Sequence, residues 1–309
     1  MVAPGNLIRT WKLDSEAAGK RVERLVVELL SCSRAEARAL CSSGAVRLDG
    51  RRVDKGIRAA SGAILEVRLP AVEEVVAEPD LALDVRLERP DLIVVYKPAG
   101  MPTVPLSRGE RGTLAGALIA RYPEMLGFGY GRREPGVLHR LDTQTSGLIV
   151  AARDAATFER LKTGLGTNSL EKRYVALCEH AGLEEDGAID LPLCPDPGRY
   201  GRVMVASERA SYSYPSRTAF RILERGPRFA LLELTVARAF RHQIRAHLAA
   251  IGHPIVGDRL YGGPLVEALG ERHALHASAI TWPGKSPPAF SVTDAPPAEF
   301  LAVLRVPAT

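Results

Sequence analysis

The sequence predicts an α+β fold in which a small basic α/β module precedes a larger domain with a mixed, mainly antiparallel sheet. The first observation is length, because 309 residues exceed the usual size of one domain and predict two. The second is charge: residues 1–70 hold 13 Lys/Arg against 8 Asp/Glu, whereas residues 71–309 hold 28 of each. The third is that, in the larger part, strand-like apolar runs outnumber helical repeats and are joined by irregular loops.

The composition excludes several classes of protein. The hydrophobic fraction is 46%, and no apolar run approaches the ~20 residues that a membrane span needs. The first eleven residues lack the apolar segment of a secretory signal. The cysteines Cys32, Cys41, Cys178 and Cys194 form no CxxC pair, which argues against a disulfide scaffold and a zinc ribbon. We therefore expect a protein of the reducing cytoplasm.

Two helices open the basic module, residues 1–70. Apolar residues from Val22 to Leu30 follow the i, i+3, i+4, i+7, i+8 spacing of an amphipathic helix. Ser33 and Glu36 form a capping box for a second helix, which runs to the C′ residue Gly44.

A hairpin and a strand complete the module. Val46 and Leu48 alternate with polar residues up to Asp49-Gly50, a pair typical of a type I′ turn. Apolar residues between Ile64 and Val67 predict a closing strand. The second helix and the hairpin carry five arginines: Arg34, Arg38, Arg47, Arg51 and Arg52. Such a basic module suggests that it binds a polyanion.

The order of these elements resembles the S4 RNA-binding domain, with matching residues at Lys20-Arg21-Val22, Ser33-Arg34 and Gly44-Ala45-Val46-Arg47-Leu48-Asp49-Gly50. In that family two helices and the following loop hold structured RNA through its backbone. The resemblance implies that the five arginines contact RNA, in a way that positions the protein and reads little sequence. The alternative is a basic face that is merely solvated.

An acidic segment interrupted by Pro79, residues 71–83, predicts a linker to the larger domain, residues 84–309. In this domain Thr113 caps a helix that ends near Tyr122-Pro123. The other elements that the pattern predicts are the strands Leu92–Tyr96, Leu148–Ala152, Arg217–Glu224 and Phe229–Ala237 and a helix from about Arg241 to Ile251.

Motifs for metals and nucleotide cofactors are incomplete. Gly284-Lys285-Ser286 resembles the end of a P-loop, but the first glycine of that motif is missing. His242 and His247 lack the intervening glutamate of a zinc protease, and His273 and His276 lack an evident third ligand. The sequence therefore predicts neither a metal nor a cofactor.

Asp142 is the strongest candidate for chemistry. It lies in a polar loop between the strand-like Val137-Leu138 and the predicted strand Leu148–Ala152. Arg140 and three nearby hydroxyl groups favour its ionised form, which can act as a nucleophile or as a base. The alternative is a loop aspartate that accepts backbone N–H bonds.

The run His139-Arg140-Leu141-Asp142-x-x-Thr145-Ser146-Gly147 resembles the signature of the RluA-type pseudouridine synthases. The resemblance continues at Lys172-Arg173-Tyr174, at His242-Gln243-Ile244-Arg245-Ala246-His247-Leu248 and at Gly252-His253-Pro254-Ile255-Val256-Gly257-Asp258. Together with the S4-like module it covers nearly the whole chain in the order of the family.

Enzymes of this family isomerise uridine within RNA by breaking the N1–C1′ bond and rejoining the base through C5, which requires no cofactor. The resemblance implies that Asp142 is the catalytic carboxylate, which either attacks C1′ or removes a ribose proton. It implies that Tyr174 stacks on the target base and acts when C5 loses its proton, and that Arg245 pairs with Asp142. Arg140 resembles the arginine that fills the space the flipped uridine leaves in the RNA.

One segment departs from the family. Ala239-Phe240-Arg241 replaces the usual Gly-Arg-Thr before His-Gln-Ile-Arg. Arg241 and Arg245 are four residues apart, so we expect them on one helical face, with Arg241 as an RNA-backbone contact or a substitute partner of Asp142. The histidines of the motifs, His139, His242 and His247, are expected to brace the pocket.

The leading prediction is an isomerase, an RNA pseudouridine synthase that acts as a monomer on structured RNA. Ribosomal RNA, that of the large subunit first, is the expected substrate, with transfer RNA second. The alternative is a non-catalytic RNA-binding or ribosome-assembly factor on the same fold. A third hypothesis, a glycosidic hydrolase, needs a second positioned carboxylate, for which the sequence offers no candidate near the motifs.

Overall fold

The chain folds into two compact units, Met1–Glu73 and Glu74–Thr309. The computed structural model describes residues 7–30, 32, 34–53, 56–69, 75–107, 109–167, 169–199, 201–207, 210, 212–236 and 239–307. Ser33 of the expected capping box, residues 71–74 of the expected linker and Ala237 lie outside these described residues. Each unit has an apolar core of its own.

The small unit packs two helices on a four-stranded antiparallel sheet. Its elements are β1 Leu7–Lys12, α1 Val22–Leu30, α2 Arg34–Ser42, β2 Val46–Leu48, β3 Arg51–Arg52 and β4 Ile64–Leu69. The strand order is β1-β4-β2-β3, so the strand expected to close the module is internal. Strand β1 was missed because Leu7–Lys12 shows no clear alternation, and only its pairing with β4 identifies it.

Local signals of the small unit agree with the structure. Asp49 and Gly50 both have positive φ angles, 50° and 75°, as a type I′ turn requires. Helix α2 ends in a Schellman motif, in which Ala45 N donates to Leu40 O at 3.1 Å and Gly44 adopts a φ of 75°. Leu65 and Val67 of β4 are buried whereas Ile64 is exposed, which gives the sheet one core face.

The large unit is built on a nine-stranded sheet with helices beside it. Its strands are β5 Asp84–Glu88, β6 Leu92–Lys97, β7 Ser146–Ala152, β8 Glu171–Glu179, β9 Asp186–Asp190, β10 Leu193–Pro195, β11 Val203–Val205, β12 Arg217–Arg225, β13 Phe229–Val236, β14 Leu275–Trp282 and β15 Phe290–Thr293. Its helices are α3 Leu114–Arg121, α4 Ala155–Gly166, α5 Gln243–Ala250 and α6 Ala298–Leu304, with 3-10 turns at Pro123–Met125 and Glu267–Leu269.

The sheet runs β5-β6-β7-β14-β8-β13-β12-β9, with β15 on β14, and β10 and β11 form a separate hairpin. Among the strands that the structure describes, only β7 and β14 pair in parallel. The mixed, mainly antiparallel α+β fold is therefore confirmed. None of the described helices is long and apolar enough to cross a membrane.

Several predicted elements are present, and others differ. Thr113 caps α3 by accepting from Gly116 N at 3.1 Å, as expected. Helix α5 begins at Gln243, two residues later than predicted, because His242 adopts a left-handed conformation with a φ of 54°. The strand-like Val137-Leu138 forms no full strand, but Val137 makes an isolated antiparallel bridge with Ala151, and Leu138 N donates to Val150 O of β7 at 3.2 Å.

The described part of the acidic segment, residues 75–83, belongs to the large unit. Val75 is buried in its core. Glu78 N donates to Gly116 O at 3.0 Å, and the Glu78 carboxylate accepts from Gly112 N at 2.8 Å, close to the start of α3. These hydrogen bonds of Glu78 attach the second half of the acidic segment to α3.

Candidate active site

Asp142, Tyr174 and Arg245 converge on one open pocket of the large unit, of about 410 Å³ with its mouth included. Asp142 comes from the loop before β7, Tyr174 from β8 and Arg245 from α5. Apolar side chains such as Leu141, Val236 and Leu275 form part of the wall. The pocket therefore combines a carboxylate and a guanidinium with a largely apolar lining.

The loop that carries Asp142 is held on both sides. Before Asp142, Thr103 Oγ1 donates to Leu141 O at 2.8 Å and accepts from Leu141 N at 3.1 Å. After it, Thr145 N donates to Asp142 O at 3.0 Å, and the Thr145 hydroxyl bonds His273 Nε2 at 2.7 Å. These bonds fix the position of the loop and therefore of the Asp142 carboxylate.

A buried lysine ties the same loop to β6. Lys97 Nζ donates to Pro98 O and Met101 O at 2.8 Å and to Thr143 O at 3.2 Å. Burial lowers the pKa of Lys97 to about 7, although the charge of Asp142 acts in the opposite direction. Lys97 was not among the expected site residues, because on the sequence it only marks the end of a strand.

Arg245 joins two carboxylates. Its Nη1 donates to Asp142 Oδ2 at 2.7 Å, so the predicted ion pair is present. Its Nε and Nη2 donate to the two oxygens of Asp258 at 2.7 and 2.9 Å, a bidentate arrangement that fixes the guanidinium plane. The Asp258 side chain is 0% exposed and also accepts from Leu260 N and Tyr261 N.

Asp258 corrects one sequence-based expectation. The sequence offered no second carboxylate near the signature, yet the structure places Asp258 on the same arginine as Asp142. The available signal for this second carboxylate was the family-like run Gly252–Asp258, which Asp258 ends. A fully buried carboxylate with both oxygens occupied cannot activate water, so Asp258 orients Arg245 instead.

The surroundings of Asp142 keep it ionised. Burial raises the pKa of its carboxyl, but His242 and Arg245 outweigh that effect and hold the pKa below its ordinary value. The side chain is 27% exposed, in contrast to Asp258. An ionised and accessible carboxylate in an apolar pocket can act as a nucleophile or as a base.

Comparison with known proteins identifies the family. Residues 91–250 match the family described as RNA pseudouridylate synthase, and residues 20–64 match the S4 domain. A Chloroflexus aurantiacus protein described as an uncharacterized RNA pseudouridine synthase is 36% identical over 264 residues, which cover 84% of this chain and 81% of that protein. The chain belongs to the RNA pseudouridylate synthase family.

Two further relatives agree. The ribosomal large subunit pseudouridine synthase D of Xylella fastidiosa is 30% identical over 307 residues, or 94% of this chain and 90% of that protein. The solved structure of human RNA Pseudouridylate Synthase Domain Containing 1 has a TM-score of 0.57 and 25% identity, covering 72% of this chain and 86% of that chain. The protein is thus an RNA pseudouridine synthase, an isomerase, with an RNA-binding S4 domain.

Tyr174 of the synthase lies in the pocket wall, 5% exposed. Burial raises the pKa of its phenol well above the ordinary value, and the negative charge of Asp142 adds to the effect. The side chain is therefore a neutral phenol at physiological pH. Its flat ring is suited to stacking on a base.

His242 contacts Asp142 directly, which the sequence did not predict. Its Nε2 lies 3.6 Å from Asp142 Oδ2, and its Nδ1 lies 3.2 Å from the hydroxyl of Tyr261. Burial lowers the pKa of His242, whereas the charge of Asp142 raises it. Arg245, whose pKa the two carboxylates raise, is the permanent positive charge beside the carboxylate.

The other two motif histidines have structural partners. His247 bonds the hydroxyl of Thr218 at 2.8 Å and Leu191 O at 2.9 Å. His139 accepts from Val150 N at 3.3 Å, and burial lowers its pKa to about 3. Neither histidine is among the residues that line the pocket, so the expectation that they brace it stays a prediction.

Arg140 and Arg241 reach solvent. Arg140 lines the pocket, is exposed and forms an ion pair with Glu134 at 2.8 Å. Arg241 is also exposed, but it precedes α5, so the expectation that Arg241 and Arg245 share a helical face is wrong. The left-handed residue His242 separates Arg241 from the helix, and of these two arginines it is Arg245 that bonds Asp142.

The arginines predicted to bind RNA are exposed on the small unit. They lie on α2 (Arg34 and Arg38), β2 (Arg47) and β3 (Arg51 and Arg52). Arg47 also donates to Gly50 O at 3.2 Å, and Arg52 donates to Ser42 O at the end of α2. Their contacts with RNA stay a prediction.

Proposed function

We propose that the enzyme converts uridines of ribosomal RNA, those of the large subunit first, into pseudouridine without a cofactor and with Asp142 as the catalytic carboxylate. The observation that carries the proposal is the ionised Asp142, bonded to Arg245 in an open pocket. The large-subunit substrate is suggested by the name of the Xylella fastidiosa relative. Transfer RNA is the second candidate.

The two oxygens of Asp142 differ in their surroundings. Arg245 and His242 both face Oδ2, and no described residue hydrogen-bonds Oδ1. Oδ1 is therefore the oxygen offered to the ribose. In one route it bonds C1′ as the N1–C1′ bond breaks and the electron pair leaves with the uracil. In the other it accepts the C2′ proton as the N1–C1′ bond breaks and its electron pair leaves with the uracil, and the sugar becomes a glycal.

Both routes end in the same way. The released uracil turns within the pocket and C5 bonds C1′; in the first route the C1′–Oδ1 bond breaks and its electron pair returns to Asp142, and in the second Asp142 returns the proton to C2′ of the glycal. The proton at C5 is then lost. Tyr174 stacks on the base during this turn, because its ring faces the pocket beside Asp142. The raised pKa of the phenol disfavours a free phenolate, so proton removal at C5 by Tyr174 needs a second acceptor.

The geometry of the site supports a hydrolase less well than an isomerase. Hydrolysis would need a carboxylate that activates water beside Asp142, and Asp258 has both oxygens bonded to Arg245. The expected monomeric state and cytoplasmic location stay predictions.

The test is tritium release from ribosomal RNA labelled with [5-³H]uridine. We expect release by wild type and by Asp190→Asn, an exposed aspartate of β9, and none by Asp142→Asn. RNA affinity should stay nearly unchanged, because binding depends mainly on backbone contacts. Release by Asp142→Asn would contradict the assigned role of Asp142. Tight binding without release from ribosomal or transfer RNA would favour the non-catalytic alternative.

A further inference from the structure

Three aromatic rings form a connected series from the pocket to solvent. Phe240 lines the pocket, and its ring centroid lies 4.2 Å from that of Tyr214. Tyr214 in turn lies 4.5 Å from Tyr212, in an edge-to-face arrangement. Tyr212 is 56% exposed. We call Tyr212, Tyr214 and Phe240 the rim aromatics.

The backbone beneath these rings is held in place. Tyr214 N donates to Leu193 O at 2.8 Å, and Leu193 N donates to Tyr214 O at 2.9 Å. Phe240 N donates to the side-chain oxygen of Gln243 at 2.9 Å. A surface with such anchors loses little conformational entropy when it binds a ligand.

Positive charge borders the series. Arg241 follows Phe240 directly and is exposed, and Arg140 is exposed on the pocket wall. Aromatic rings beside arginines are the combination that binds single-stranded nucleic acid, since bases stack on the rings and the cations face the phosphates. The charge thus favours an RNA strand over an apolar peptide as the occupant.

The target uridine must also leave its stack to reach Asp142, which unstacks the adjacent nucleotides. A ring at the mouth of the pocket can replace the lost stacking partner. Tyr212 has the position for this, because it is connected to the pocket through Tyr214 and Phe240 and presents its ring to water.

We propose that the rim aromatics are a stacking surface for the unpaired nucleotides next to the target uridine. The inference rests on the proposed function, because the same RNA strand must enter the pocket. Tyr212 then contributes to substrate binding rather than to the chemical step. Phe240, which stands where the family usually has arginine, connects this surface to the pocket.

The probe is a short oligouridine strand that carries one 2-aminopurine, whose fluorescence is quenched when it stacks on an aromatic ring. Residues 1–73 contain one aromatic residue, Trp11, which packs against the core of its unit, so quenching reports on the large unit. The full chain is compared as wild type, Tyr212→Ala, Tyr212→Phe and Tyr130→Ala. Tyr130 is a matched control: it is 50% exposed and packs edge-to-face on Phe158 at 5.2 Å, outside the pocket lining.

We expect Tyr212→Ala to raise the Kd of the oligouridine and the KM for labelled ribosomal RNA about five- to tenfold, with reduced quenching and unchanged kcat. Tyr212→Phe and Tyr130→Ala should behave as wild type. The proposal is overturned if Tyr212→Ala matches wild type in Kd, quenching and KM, or if Tyr130→Ala shows the same loss. Absence of tritium release from wild type would overturn the proposed function instead. The oligouridine titration would still test whether the rim aromatics bind nucleotides, because it does not depend on activity.

Discussion

Arg245 bonds two carboxylates that have different surroundings. Asp258 is fully buried and takes two of its donors, whereas Asp142 is partly exposed and takes one. The two carboxylates raise the pKa of Arg245, against the lowering effect of burial, so the guanidinium never loses its charge. Asp258 therefore orients the arginine, and Asp142 stays accessible from the pocket.

Replacement of Asp258 by asparagine tests this division of roles. Asp258→Asn leaves Arg245 with a neutral partner in a buried position, and we expect the free energy of unfolding to fall by about 3 kcal/mol. We also expect a lower kcat, because the guanidinium plane is no longer fixed. Urea unfolding and tritium release measure the two effects.

The matched control is Glu271→Gln, which breaks the exposed pair between Glu271 and Arg259. Exposed pairs contribute about 0–1 kcal/mol, so this variant should resemble wild type. Equal stability of Asp258→Asn and wild type would show that the buried pair is not needed for folding.

Sequence motifs indicated Asp142, Tyr174 and Arg245, and the structure brings these three together. Asp258, Lys97 and the contact of His242 with Asp142 were missed. Lys97 reaches Thr143 across 46 residues and Asp258 reaches Arg245 across 13, separations that leave no local periodic signal. The contact of His242 depends on its left-handed backbone conformation, which the sequence does not show. Burial of a charged side chain is likewise visible only after folding.

At the scale of elements, helix α3 depends on a glycine at a close contact. A Cβ at Gly116 would lie 2.7 Å from Val76 O and from the Glu78 carboxylate. Helix propensity favours alanine over glycine, but here the neighbouring segment fills the space. The packing of residues 75–78 against α3 therefore requires glycine at position 116.

We expect Gly116→Ala to destabilise the enzyme by about 1–3 kcal/mol, because the backbone oxygen of Val76 must move. Gly166→Ala, at the last residue of α4, is the control. A Cβ there meets nothing within 4 Å, so alanine should stabilise by about 0.4–1 kcal/mol. Thermal unfolding compares the two variants, and a stabilising Gly116→Ala would contradict the close packing.

Elements with strong local signals were predicted from sequence. The type I′ turn at Asp49-Gly50 and the cap at Thr113 depend on side chains within a few residues of the backbone they stabilise. The start of α5 was wrong by two residues, since it depends on the conformation of His242. Helix α4 was missed although Asp154 caps it and accepts from Thr157 N at 2.8 Å.

At the scale of the whole molecule, the small unit is expected to supply salt-dependent affinity for RNA. Each arginine that contacts a phosphate contributes about one to the slope of log affinity against log salt concentration. Arg38→Ala and Arg51→Ala should each lower that slope, and both residues are exposed. Filter binding of ribosomal RNA at several salt concentrations measures it.

Arg121→Ala is the control for this prediction. Arg121 is exposed on α3 of the large unit and forms an ion pair with Glu88 at 2.9 Å. Its removal should leave the slope unchanged. The same decrease for all three variants would indicate a diffuse effect of charge and not the predicted contacts.

Buried histidines of the large unit predict a loss of stability in acid. Burial lowers the pKa of His139 to about 3 and those of His273 and His276 to about 4. Below pH ~6.5 the unfolded chain binds protons that the folded chain does not, so stability present at neutral pH is lost toward pH 4. Each histidine contributes about 1.4 kcal/mol per pH unit in this window.

Urea unfolding between pH 7 and pH 4 measures this loss. The variant His273→Gln, which retains a polar partner for Thr145, should lower the proton uptake on unfolding by about one. Lys97 is protonated in both states below pH 6 and adds nothing there, whereas the lowered pKa of Asp142 adds to the loss of stability only as the pH approaches the ordinary carboxyl range near 4. Unchanged uptake in His273→Gln would mean that this histidine is protonated in the folded state.

The sequence by itself determined the α+β class, the helices and turns with local caps, and the family motifs that contain Asp142, Tyr174 and Arg245. Each of these depends on residues within a few positions of one another or on a contiguous run. Only the tertiary structure decided that Asp258 orients Arg245, that Lys97 holds the Asp142 loop and that Tyr212 joins the rim of the pocket. The physical reason is that such contacts join distant segments, as Arg245 and Asp142 do across 103 residues, and form only when the sheet and α5 pack.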